Sequence, residues 1–127
     1  MKATLSSLLA IAFIAACADT EPPALLDVTQ LPDTTDTVGP YTVTAVARDD
    51  RGVESVTLYY TGDTSENATF KAAVMTQVED DLYSGEIAGF PAGARVRYFV
   101  EAEDASANRA KVPQGNGEYL QFRVIEN

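Results

Sequence analysis

The sequence predicts an all-β chain, a β-sandwich set behind a short apolar N-terminal segment. Three observations predict it. From residue 25 onward, segments alternate apolar and polar residues with a period of two, as strands with one face on a core do. Clusters of Asp, Gly and Pro separate these segments at short intervals. No stretch beyond the N-terminal segment carries the spacing of an amphipathic helix.

The N-terminal segment comes first in chain order. Lys2 supplies a positive charge, and residues 5–16 are apolar except for Ser6 and Ser7. Small residues at Ala15 and Ala16 precede Cys17, the only cysteine in the chain. This is the grammar of an export signal, forming a signal helix over 1–16. The run is shorter than the roughly 20 apolar residues that a spanning helix needs. The string Ile14-Ala15-Ala16-Cys17 resembles the bacterial lipobox. That resemblance implies thioether diacylation of Cys17, cleavage before it, and a covalent diacylglycerol and acyl (palmitate) anchor. A thiol is the side chain soft and nucleophilic enough to accept lipid in this way. Two acyl chains anchor stably where one does not. Ala18 follows the cysteine where an inner-membrane retention signal would place Asp, so the expected address is the outer membrane in a two-membrane source. The competing expectation is an ordinary secretory signal cut after Ala16 or Ala18, with Cys17 discarded or left as a free thiol.

Residues 18–24 are polar and Pro-rich and read as a short, semi-stiff linker behind the lipidated cysteine at 17. The domain then occupies 25–127. Its first strand is expected over 25–29, and Pro32 to Pro40 is a turn-rich link. The second, 41–48, puts Tyr41, Val43, Ala45 and Ala47 on one face. After a turn at Asp49-Asp50-Arg51-Gly52, the third strand, 53–61, turns Val56, Leu58 and Tyr60 inward and Thr57 and Tyr59 outward. A fourth is expected over 69–78, a fifth over 82–88 and a sixth over 94–104. In the sixth, Val96, Tyr98, Val100 and Ala102 face in, while Arg95, Arg97, Glu101 and Glu103 face out. Residues 105–117 read as a long polar loop, and 118–125 closes the domain with Leu120, Phe122 and Val124 buried. Seven strands of this kind close most simply as an antiparallel sandwich.

The segment 96–104 (Val-Arg-Tyr-Phe-Val-Glu-Ala-Glu-Asp) resembles the sixth strand of fibronectin type III and related bacterial immunoglobulin-like domains. The segment 50–60 (Asp-Arg-Gly-Val-Glu-Ser-Val-Thr-Leu-Tyr-Tyr) resembles their third strand and the turn before it. The resemblance implies a seven-stranded antiparallel immunoglobulin-like sandwich, in which a Tyr placed like Tyr98 packs near the core and bonds to backbone. The chain has no Trp and no cysteine pair, so the disulfide-centred immunoglobulin core is excluded.

Composition narrows function. Beyond residue 16 there are nineteen acidic and eight basic residues, a side-chain charge of −11. Such a surface repels nucleic acid and anionic headgroups. There is no His, which removes the commonest neutral-pH base. In the expected topology Asp49, Asp50, Glu79, Asp80, Asp81, Asp104 and Asn108 gather at the end where the linker enters. Calcium takes six to eight oxygen ligands, so Asp49, Asp50, Asp80, Asp81 and Asp104 are the candidate set, against the alternative of a solvated acidic surface. Tyr59 and Phe99, with Arg95 and Arg97, form a candidate ligand patch on the outer face of neighbouring strands, against the alternative that the rings simply cover a neighbouring strand or loop. Asn67-Ala68-Thr69 matches a glycosylation pattern, with an unmodified loop as the alternative. Glu101 and Glu103 share an open strand face, which offers no pocket to separate their pKa values, so no enzyme is expected. The expected function is a non-enzymatic, membrane-anchored surface or periplasmic lipoprotein. It would serve as an interaction or spacer module whose partner is an envelope protein or a glycan. The alternative is a carbohydrate-binding module.

Overall fold

The computed structural model describes residues 20–127. The signal helix, its cleavage site and Cys17 lie outside the described residues. Nine strands follow in order: β1 (Ala24–Leu26), β2 (Tyr41–Arg48), β3 (Val53–Thr61), β4 (Lys71–Val74), β5 (Thr76–Glu79), β6 (Leu82–Ile87), β7 (Arg95–Asp104), β8 (Arg109–Val112) and β9 (Leu120–Arg123). No helix occurs among the described residues. The strands build two antiparallel sheets, one ordered β1-β2-β6-β5 and the other β4-β3-β7-β8 with β9 also on β7.

The period-two alternation dictates which faces meet. Val43, Ala45 and Ile87 from the first sheet and Leu58, Val96, Tyr98, Val100 and Ala102 from the second are fully buried in one cluster. Each large aliphatic side chain so buried contributes about 1.5–3 kcal/mol. An exposed ion pair such as Arg48 Nε to Asp81 Oδ2, at 2.6 Å, contributes about 0–1 kcal/mol. The interleaved faces therefore hold the sheets together, and the surface charges do not.

Seven strands were expected, and the differences have local causes. The expected strand 69–78 breaks at Met75. Its first half pairs with β3 and its second with β6, so the chain steps from one sheet to the other. Met75 N donates to Val56 O at 2.8 Å, and the Met75 side chain is buried. It packs over Gly85, where an added Cβ would lie 2.8 Å from Met75 Cγ and 3.3 Å from Leu58 Cδ2. The expected loop 105–117 contains β8. β8 and β9 pair successively with the same edge of β7, β8 with Val100 to Glu103 and β9 with Arg95 to Tyr98. Residues 113–119 leave the ladder between them. β1 stops at Leu26 because Asp27 takes φ 51°, a left-handed conformation that ends the pairing.

Past Asp27 the chain crosses from the first sheet to the second. Thr29 N donates to Thr44 O at 3.0 Å on the first sheet. Leu31 N donates to the Tyr98 hydroxyl at 2.8 Å, and that hydroxyl donates to Thr29 O at 2.7 Å. Asp33 then accepts from the Arg123 backbone and guanidinium, and Thr34 forms a parallel bridge with Val124. Tyr98 thus packs in the core and bonds backbone, as the resemblance implied.

Tyr98→Phe removes one donor and one acceptor from a buried site and is expected to cost about 1–3 kcal/mol in chemical denaturation. Burial pushes the Tyr98 phenol above its usual value of 10.0, with the Leu31 N–H bond opposing it. The folded protein keeps this proton where the unfolded chain loses it. Stability from this group is therefore full below pH 10 and falls as pH rises on through the raised folded value. The Phe variant is expected to lack that part of the alkaline decline.

Candidate functional site

The β3–β7 register places Tyr59 directly opposite Phe99 on the outer face of the second sheet. Their rings stack with centroids 4.8 Å apart and planes at 17°. Two loops then close over them. The chain returning from β3 to β4 brings Phe70, with its ring 5.4 Å from Phe99. The excursion between β8 and β9 brings Tyr119, 5.1 Å from Phe70 and 6.0 Å from Phe99. Side chains of all four rings are half-buried.

Two cations fasten the loops to the rings. The Arg97 guanidinium lies 4.9 Å from the Tyr119 centroid and 5.6 Å from Phe70. Its Nη2 donates to Asp63 O at 2.5 Å and Ser65 O at 3.1 Å, holding the β3–β4 loop. Its Nε is buried with no hydrogen-bond partner among the described residues. Lys111 Nζ lies 4.9 Å from the Phe99 centroid and donates to Pro113 O, Gly115 O and Glu118 O at 2.9, 3.0 and 3.2 Å. It holds the β8–β9 loop. Cation–π contacts of this kind contribute from about 0.5 kcal/mol exposed to 2 kcal/mol desolvated. In the β3–β4 loop, the Ser65 N–H bond to Asp63 Oδ1, at 2.9 Å, holds the Asp63 carboxyl below its usual value.

The structure brings together three of the four residues expected in the ligand patch: Tyr59, Phe99 and Arg97. Arg95 stands apart. It lines a shallow hollow of about 310 Å³ with Asp33, Gln121, Phe122 and Arg123. There the Arg123 backbone N–H, followed by its guanidinium, holds the Asp33 carboxyl below its usual value. Phe70, Tyr119 and Lys111 were not anticipated, because they arrive from loops and a strand that alternation did not place on this face. The rings cover one another, with the loops folded over them. What the patch presents outward is its rim, where the hydroxyls of Tyr59 and Tyr119 have no hydrogen-bond partner among the described residues. A rim of phenols can donate to and accept from a polar partner.

The acidic residues do gather at the end where the chain enters the domain. Ala24 pairs with Arg48, Val53 with Asp104, and Ala47 N donates to Asp81 O at 3.0 Å. They are used differently from one another. Asp104 is 1% exposed, and its carboxylate accepts from Ser106 N, Asn108 N and Asn108 Nδ2 at 2.9, 2.9 and 3.0 Å. It caps the β7–β8 turn from inside. Asp49 accepts from Arg51 N at 3.0 Å, and the Asp80 carbonyl accepts from the Gln77 side chain. Asp49, Asp80 and Asp81 line one groove of about 490 Å³, and Asp49 and Asp50 line a second of about 420 Å³ with Glu21. Among the described residues no three acidic side chains come close enough to hold one ion. Glu103 lies 3.8 Å from Arg109, and Glu101 lines a separate groove beside Arg109 and Lys111.

Phe99→Ala is expected to cost about 1–3 kcal/mol in denaturant and to raise protease cleavage in both 62–70 and 113–119. Arg95→Ala, outside the cluster, is expected to stay within about 0.5 kcal/mol of the parent. Equal effects of the two would show that the rings do not act as a unit. Compared with known proteins, the chain matches no protein-family model, and no curated protein matches it in sequence.

Proposed function

We propose that this chain is a lipid-anchored, non-enzymatic module of the bacterial cell envelope, built on an immunoglobulin-like sandwich. The string Ile14-Ala15-Ala16-Cys17, followed directly by a short link into the domain, carries the reading. Only residues 18–23 separate Cys17 from β1. Six residues reach at most about 25 Å fully extended, and Pro22-Pro23 stiffens the link. The domain would sit close to its membrane. Ala18 favours the outer membrane where the source has two.

Strand order supports the immunoglobulin-like part. That fold divides its first, second, fifth and fourth strands from its third, sixth and seventh. The order β1-β2-β6-β5 against β4-β3-β7-β8 fits, with β4 added beside the third strand and β8 and β9 sharing the role of the seventh.

The anchor gives the domain an orientation. β1 enters at the acidic end, so that end faces the membrane and is repelled by anionic headgroups. The far loops at 62–67 and 89–93 and the outer sheet face with the aromatic cluster point to open space. This free side is where an envelope protein would bind. The unpartnered rim hydroxyls of Tyr59 and Tyr119 favour a second reading, a carbohydrate-binding module.

Cys17→Ser is expected to abolish palmitate labelling and to move the protein from the membrane fraction to the soluble one. A variant that still partitions with lipid would overturn the anchor, and an unlabelled, soluble parent would favour plain secretion. Saturable polysaccharide binding, lost in Tyr59→Ala and Phe99→Ala, would decide for the carbohydrate module over the protein-binding role.

A further inference from the structure

The β8–β9 loop contains a turn closed by two hydrogen bonds between Gly115 and Glu118. Glu118 N donates to Gly115 O at 3.1 Å, and Gly115 N donates to Glu118 Oε1 at 3.1 Å. Asn116 and Gly117 are the two central residues. Gly117 has φ +75° while Asn116 keeps a negative φ, the pattern of a type II turn, which requires a residue tolerant of positive φ at its third position. Glycine is the residue that accepts this cheaply. The same glycine has no Cβ to shield its amide nitrogen, and nothing lies within 4 Å of where a Cβ would stand.

We infer that Asn116 is a site of spontaneous deamidation through Gly117. Asn116 is exposed, and neither its side-chain amide nor the Gly117 N–H has a hydrogen-bond partner among the described residues. The Gly117 nitrogen, having lost its proton to solvent base, attacks Asn116 Cγ. A Cγ–N bond forms, the side-chain nitrogen takes up a proton from solvent, the bond from Cγ to it breaks, and it leaves as ammonia. The product is a five-membered succinimide. Water then adds to either imide carbonyl, its hydroxyl going to carbon and its proton to nitrogen. Opening one way gives an aspartyl residue, and opening the other way gives an isoaspartyl residue with one extra backbone methylene.

Asn67 and Asn108 lack this arrangement. Asn67 precedes Ala68, whose methyl group hinders attack. Asn108 has its side-chain nitrogen bonded to Asp104 Oδ2 at 3.0 Å and is followed by Arg109 at the start of β8. Asn116 is thus singled out both by its neighbour and by its surroundings, within a class of residue prone to thermal damage.

Placement gives the reaction a consequence. Asn116 lines the groove of about 560 Å³ between β1 and β8, along with Glu101, Arg109 and Lys111. Deamidation adds a carboxylate there. The isoaspartyl product also lengthens the turn whose carbonyls Lys111 holds, loosening the loop that delivers Tyr119 to the aromatic cluster.

The test is to hold the folded protein at mildly alkaline pH and map peptides by mass, with an isoaspartate-specific methyltransferase as a second readout. Expected are the mass gain of an amide-to-acid conversion and methyl acceptance, both on the peptide holding residue 116. Asn116→Gln is expected to lose both. Asn116→Asp should reproduce the added charge without methyl acceptance at the start of the incubation. Absence of conversion at 116, or conversion at Asn67 at an equal rate, would overturn the proposal.

Discussion

The hydroxyl of Tyr98 is the contact on which the rest of the structure depends. It sits on β7, the strand to which β3, β8 and β9 all bond, and its side chain is fully buried. A buried hydroxyl without partners is costly, and this one has two. Both belong to the segment that leaves β1 on the opposite sheet. The ring helps fill the core beside Phe122, 6.2 Å away, while the hydroxyl fixes where the chain crosses the edge. The crossing then runs on through Asp33–Arg123 to the Thr34–Val124 bridge, which ties the start of the domain to its last strand. One side chain thus joins general apolar burial to a specific chain path.

The same strand organises both sides of the second sheet. Its inward residues are Val96, Tyr98, Val100 and Ala102, and its outward ones include Arg97 and Phe99. The inner row is the core. The outer row is the floor on which two loops are folded. Because β8 and β9 share one edge of β7, the residues between them are freed to fold over that floor. Arg97 and Lys111 sit over the rings and reach up to loop carbonyls, so each cation satisfies a π-face and a backbone at once. In the proposed orientation this face stands beside the membrane-distal end and remains open to partners.

Much of the fold was legible because alternation records which face is wet. The inward apolar residues of β2, β3 and β7 were read correctly one by one, including Tyr98. The step between sheets at Met75 was not legible. Its neighbours Lys71 to Glu79 are mostly exposed on both strands, so period two carries little contrast there. What marks the step is Gly85 on the partner strand, which makes room for Met75, and a missing Cβ is silent in a hydrophobic pattern. β8 was hidden by its charges, since Arg109 and Lys111 made Arg-Ala-Lys-Val look like loop. The candidate patch was half legible for the same reason. Tyr59 and Phe99 came from strand register, while Phe70, Tyr119 and Lys111 depend on loop paths that register does not set. The gathering of acids at one end followed from topology, but Asp104 turned inward to cap its own turn. The processing signal expected around Cys17 lies outside the described residues, and the packing of the domain does not bear on it.

If Tyr98 fixes the crossing segment, the Leu31 amide should behave as part of the core although it lies in a connection without strand pairing. Native-state hydrogen exchange at Leu31 N–H measures this directly. The expected result is exchange as slow as that of the Leu58 and Val100 amides, with opening only through global unfolding. Exchange of Leu31 at the rate of an exposed loop amide, while β3 and β7 stay protected, would contradict the claim.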